Sequence, residues 1–97
     1  MSLDDFELEV SKIYELLPYD IKNRFVIHIE EEPQEKQNNV LFGYYTPLFP
    51  NAITLCYWGF KATNDFRLDH IERVIKHEFE HLSLGGNLID KHHEHKT

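Results

Sequence analysis

Leu3, Phe6, Val10, Ile13 and Leu17 recur at spacings of three and four, the stripe of an amphipathic helix with one buried face. Ser2-Leu3-Asp4-Asp5 ahead of it fits a capping box, with acidic groups at the positive end of the helix dipole. Pro18 ends that helix, because the residue before a proline is pushed out of the helical region. From Arg24 to Glu31 the period changes to two: Phe25, Ile27 and Ile29 alternate with Val26, His28 and Glu30, the pattern of a half-buried strand. Residues 31–39 are polar, contain Pro33 and lack periodicity, so they read as an exposed hairpin loop. Val40–Thr46 is a second strand, in which Gly43 marks a bulge or a close backbone approach. Asn51–Phe60, rich in β-branched and aromatic residues, is a third.

The helical period returns between Asp65 and Gly86. Leu68, Ile71, Ile75, Phe79 and Leu82 share one apolar arc, and Asp69, Glu72, Arg73, Lys76, Glu80 and Ser83 share the opposite one. His70, Val74, His77 and His81 form a narrow stripe between the arcs, with Glu78 on its apolar side. Asn64 or Asp65 is placed to cap this helix, and Gly85-Gly86 to end it. The expected fold is α+β: an N-terminal helix, a three-stranded and mostly antiparallel sheet, a long helix, and a short C-terminal tail. Residues 1–97 form one domain, with 87–97 a His-rich tail that either stays flexible or folds back over the long helix.

Composition narrows the function. A formal net charge of −7 argues against a nucleic-acid partner, since affinity for phosphates rests on clustered Lys and Arg. No apolar run approaches the roughly 20 residues of a membrane span, and Met1-Ser-Leu-Asp-Asp5 is acidic where a secretory signal would be basic. The single cysteine, Cys56, has no internal partner and reads as a small buried apolar residue, which fits a reduced, cytoplasmic setting. Nothing in the pattern specifies an oligomeric state. Seven histidines are many for this length, and His92, His93 and His95 crowd the C-terminus.

The chemistry centres on His77-Glu78-Phe79-Glu80-His81, an H-E-x-x-H pentad. On a helix its histidines stand one turn apart on one face, within reach of a single metal ion, and Glu78 lies beside them where a general base would act. The plainer alternative is two half-exposed surface histidines and a helix-forming glutamate. The position of the pair at the margin of the apolar arc favours the site. Two imidazoles suit zinc, although cobalt, nickel and copper also bind such a pair.

The pentad on a long helix, behind one helix and three strands, resembles the zincin metallopeptidases, and the short chain is most similar to their minimal gluzincin-like scaffolds, the minigluzincins. The resemblance spans roughly residues 3–86 as architecture and the pentad alone as a motif. It implies zinc-dependent hydrolysis of a peptide or protein substrate, with His77 and His81 as metal ligands. Glu78 would take a proton from the attacking water and pass it to the leaving amine. It also implies a strand edge that pairs with extended substrate, for which Asn51–Phe60 is the candidate, and a latent or self-inhibited state. The third ligand is open between His92 and His93, with Asp90 and Glu94 behind them. The metzincin extension fails, since it would place glycine at Leu84 and histidine at Asn87. Tyr44, Tyr45 and His70 are equal candidates for stabilising the transition state. The runner-up function is a non-catalytic metal-binding or protein-interaction domain on the same scaffold.

Overall fold

The first helix, α1 (Leu3–Glu15), forms where the apolar stripe requires it. Ser2 caps it, its Oγ accepting from the Asp5 amide at 3.1 Å, and Leu16 closes it two residues before Pro18. Phe6 and Val10 carry its buried face. Phe6 is fully buried, with ring centroids 5.3 Å from Tyr57 and 5.2 Å from Phe60. A short turn of helix, α2 (Tyr19–Lys22), leads into β1 (Val26–Glu30). Tyr14 ties the two together, its hydroxyl donating to the carbonyls of Lys22 and Phe25. The computed structural model describes residues 1–34 and 39–83, and all that follows concerns those residues.

Two further strands, β2 (Gly43–Tyr44) and β3 (Ala52–Cys56), complete a sheet of order β1-β3-β2. The sheet is mixed. β3 runs parallel to β1, pairing Val26 with Ala52 and Glu30 with Cys56, and antiparallel to β2, pairing Gly43 with Leu55. The expected mostly antiparallel sheet, with a hairpin across residues 31–39, gives way for a physical reason. The central place goes to the segment that is apolar on both faces, and Ala52–Cys56 is buried at every position. β1, polar on one face, takes an edge.

The expected third strand is also shorter than Asn51–Phe60. At Tyr57 the chain turns into α3 (Tyr57–Thr63), which ends at Asn64 in the left-handed conformation with φ 52°. Tyr57 and Phe60, three apart, both reach the core as a helix allows. Gly59 lies so close to the Leu41 carbonyl that any side chain there would overlap it. Asn64 therefore ends one helix rather than starting the next, and α4 (Leu68–Ser83) begins after it.

The alternation of β-residues gives the sheet two unlike faces. Ile27, Ile29, Ile53, Leu55 and Gly43 share the face on which α4 packs; Val26, His28, Glu30, Thr54, Cys56 and Tyr44 share the other. α4 crosses β2 and β3 and leans on α1. Ile71, Ile75, Phe79 and Leu82 are buried as their arc predicts, whereas Leu68, at the helix start, is exposed. His70, Val74 and Glu78 are buried too, because β2 covers the flank that the wheel leaves at the margin. No helix among the described residues is long and apolar enough to cross a membrane.

Candidate metal centre

One turn of α4 brings the His77 and His81 rings to a centroid distance of 4.6 Å at an interplanar angle of 88°. Their Nε2 atoms stand 3.1 Å apart. Two imidazole nitrogens bound at about 2.0–2.1 Å to a tetrahedral zinc would stand about 3.3 Å apart. The 3.1 Å separation is that of a hydrogen bond between the two rings, and it lies within a few tenths of an ångström of the spacing two imidazoles take around one ion. Both histidines are half-buried. That placement keeps them open to solvent on one side and to the helix flank on the other.

Glu78, next along the chain, is fully buried. Gly43 of β2 lies against it: a Cβ built there would come 3.4 Å from Glu78 Cγ, 3.2 Å from Val74 Cγ1 and 3.2 Å from the Thr54 carbonyl oxygen. The absence of a side chain at 43 is what lets β2 and α4 approach, the close-approach reading of that glycine. Cys56 lies near enough to feel the Glu78 charge. Burial pushes its thiol well above the ordinary range, and the carboxylates of Glu30 and Glu78 add to the shift. A thiol held neutral is a poor nucleophile and a poor metal ligand. Cys56 serves the core.

Of the three candidates for transition-state stabilisation, Tyr44 is turned away. It stands on the sheet face opposite α4, its hydroxyl donating to Glu30 Oε2 at 2.7 Å. Burial and that hydrogen bond raise its pKa well above the tyrosine norm. Tyr45 packs against the core as a partly buried residue. His70 alone lies on the flank of α4 that carries His77, and the two line a common cavity.

The strand Asn51–Phe60 does not offer an edge for substrate. β3 has β1 on one side and β2 on the other, so its backbone groups are already paired. The edge strand beside α4 is β2. His92 and His93, with Asp90 and Glu94, lie outside the described residues, as does the Gly85-Gly86 cap. Among the described residues no group of three or more His, Cys, Asp or Glu is placed to hold a metal ion.

Two residues escaped the sequence reading. Glu30 gathers the ends of three elements: its carboxylate accepts from Tyr44 Oη, from Trp58 Nε1 at 2.9 Å, and from Gln34 Nε2 at 3.2 Å. Asp65, read as a helix cap, instead pairs with Arg67 at 2.8 Å and with His70 Nδ1 at 3.2 Å. The Arg67 hydrogen bonds hold its carboxyl below the usual range. Alternation already placed Glu30 on the less apolar strand face; its partners Tyr44 and Trp58 come from 14 and 28 residues away, beyond any local pattern.

The chain matches no protein-family model, no curated protein and no solved structure.

Proposed function

We propose that this protein is a small zinc-dependent peptide hydrolase of zincin-like design, held closed in the conformation described. The observation that supports it is the convergence of His77 and His81, with Nε2 atoms 3.1 Å apart, on a helix whose next residue, Glu78, is sealed beneath Gly43. His77 and His81 would hold the ion, and His92 or His93 would supply a third ligand. Zinc, when bound, contributes Lewis-acid polarisation of a carbonyl and a more acidic water. Glu78 accepts a proton at its carboxylate and returns it to the leaving amine. The backbone of β2, on the open edge beside α4, would align an extended peptide. A cytoplasmic location belongs to the same reading, supported by the one cysteine, which is buried.

The full burial of Glu78 favours a second reading: a metal-binding or interaction domain that keeps the scaffold without the reaction. Glu78→Gln separates the two. Zinc-loaded wild-type protein is incubated with a mixed peptide pool, and fragments are read by mass spectrometry. The hydrolase reading expects cleavage that disappears in Glu78→Gln while about one zinc per chain is retained. No cleavage by zinc-loaded wild type, its own tail included, leaves the non-catalytic reading in place.

A further inference from the structure

The flank of α4 carries more than the metal pair. A cavity of about 160 Å³ opens there, lined by His70, Arg73, Val74 and His77. His77 thus belongs to both features, and whatever fills the cavity touches a residue of the metal pair. His70 is buried to 9% exposure and held in place. Its Nδ1 lies 3.2 Å from Asp65 Oδ2 and 3.3 Å from the Asp65 carbonyl, both acceptors, so Nδ1 carries the hydrogen. Phe42 and Phe60 pack on the ring at centroid distances of 4.7 and 5.0 Å and fix its plane. Nε2 is the nitrogen left for a ligand. Arg73 is mostly exposed, with a single 3.3 Å contact to Asp69 one turn back. An exposed pair of that kind is weak, so the guanidinium is available to a better partner.

We infer that this cavity is a carboxylate-accepting subsite contiguous with the His77/His81 pair, with Arg73 and His70 as binding groups and Asp65 as the residue that positions His70. The assignment rests on the peptide-hydrolase reading for its substrate class. Guanidinium forks match carboxylates in shape and charge. His70, its Nδ1–H held by Asp65, presents Nε2 in a fixed direction, where a proton taken up together with the ligand would be donated to the carboxylate. Val74 supplies an apolar wall for the carbon that carries the carboxylate. The volume admits several waters, or one carboxylate and its neighbouring atoms. On a chain of net charge −7, with Asp65 and Asp69 beside the cavity, the Arg73 guanidinium is a local positive charge, so a ligand with one carboxylate is preferred over a polyacidic one. That carboxylate is either the C-terminus of a peptide or an Asp or Glu side chain.

The test uses the full chain with histidines isotopically labelled, first free of metal and then loaded with zinc. Three N-acetylated peptides are titrated: an apolar dipeptide acid, the same dipeptide amide, and an amide that contains one glutamate. Ring resonances of His70 are the readout. The acid should shift them saturably without zinc, and the apolar amide should not. A response to the glutamate amide as well assigns side-chain carboxylates to the ligand class; its absence assigns the C-terminus. Arg73→Gln should weaken the acid by about tenfold, and Arg73→Lys should recover part of the loss. Equal binding of acid and apolar amide, or an unchanged affinity in Arg73→Gln, overturns the subsite. Zinc stoichiometry and peptide cleavage are measured separately. Carboxylate binding that persists in a protein without zinc affinity counts against the hydrolase reading alone.

Discussion

Gly43 and Glu78 meet across the interface of β2 and α4: the glycine's missing Cβ would lie 3.4 Å from the glutamate's Cγ. One backbone approach therefore sets both the packing of an edge strand and the seclusion of the residue with the most direct claim to proton transfer. Substituting position 43 tests this contact. Alanine would crowd the Thr54 carbonyl and Val74, each 3.2 Å from its Cβ, but would also restrict the unfolded chain. Gly43→Ala should cost less than about 1 kcal/mol, and Gly43→Val, which adds two methyl groups beyond alanine to a filled space, about 2–3 kcal/mol. For a domain of this size each kcal/mol corresponds to a Tm change of roughly 4–8 °C. A Gly43→Val protein as stable as wild type in urea titration would show that the approach of β2 to α4 is loose.

The metal assignment predicts a linkage effect. Zinc that binds the folded chain alone stabilises it by about 2.7 kcal/mol at a concentration one hundred times its Kd. Wild-type Tm should accordingly rise by more than 10 °C under those conditions. His77→Ala and His81→Ala should each abolish most of that rise, because a lone imidazole forfeits the convergence seen at 3.1 Å. Differential scanning calorimetry with and without zinc settles the point. A flat response in wild type would leave the pair as a surface hydrogen bond.

Much of this was legible in one dimension. The stripe Leu3–Leu17, the alternation 25–30 and the arc Ile71–Leu82 each record one buried face, and each became the expected element. The topology was not legible. Residues 24–31, 40–46 and 51–60 each satisfy a strand pattern, but which strand lies in the middle depends on comparing their two faces after folding. The aromatic run Tyr57–Phe60 fits either period, and only its packing on Phe6 decides for a helix. At the site, the spacing of the pentad places His77 and His81 one turn apart, and their Nε2 atoms stand 3.1 Å from each other. The helical wheel left Glu78 and His70 at a margin, because the flank is closed by β2 and by Phe42, which no single-helix projection contains.

Alkaline pH should weaken the fold through two neutral groups. Cys56 and Tyr44 have ordinary values of 9.0 and 10.0, and both are raised in the folded chain, first by burial and then by the Glu30 carboxylate. The folded state thus favours the protonated forms. Their contribution is fully present below pH 9, where neither state ionises. It is lost progressively as pH rises from 9, once the unfolded chain alone sheds the protons. Urea midpoints should be level between pH 7 and 8.5 and fall between pH 9 and 11. Tyr44→Phe should remove its part of that fall. In the native protein at pH 8, Cys56 should react with a thiol reagent only as fast as the chain opens. Rapid stoichiometric labelling under native conditions would contradict the burial seen for Cys56.

Glu30 offers a way to separate the fold from the metal pair. Its carboxylate joins the end of β1 to β2 through Tyr44 and to α3 through Trp58, on the sheet face away from α4. Hydrogen bonds to a charged group contribute about 1.5–3 kcal/mol each when shielded, and less where solvent reaches them, as it does here. Glu30→Ala should therefore destabilise the protein by about 2–3 kcal/mol, with Glu30→Gln intermediate because an amide still accepts one hydrogen bond. Trp58 is the only tryptophan, so its emission reports the loss of the indole's partner directly. The zinc affinity of Glu30→Gln, measured by competition with a chelating dye while the protein remains folded, should match wild type. A fall in zinc affinity in step with stability would mean that the carboxylate cluster on one face and the histidine pair on the other are coupled through Cys56, the residue that senses both Glu30 and Glu78.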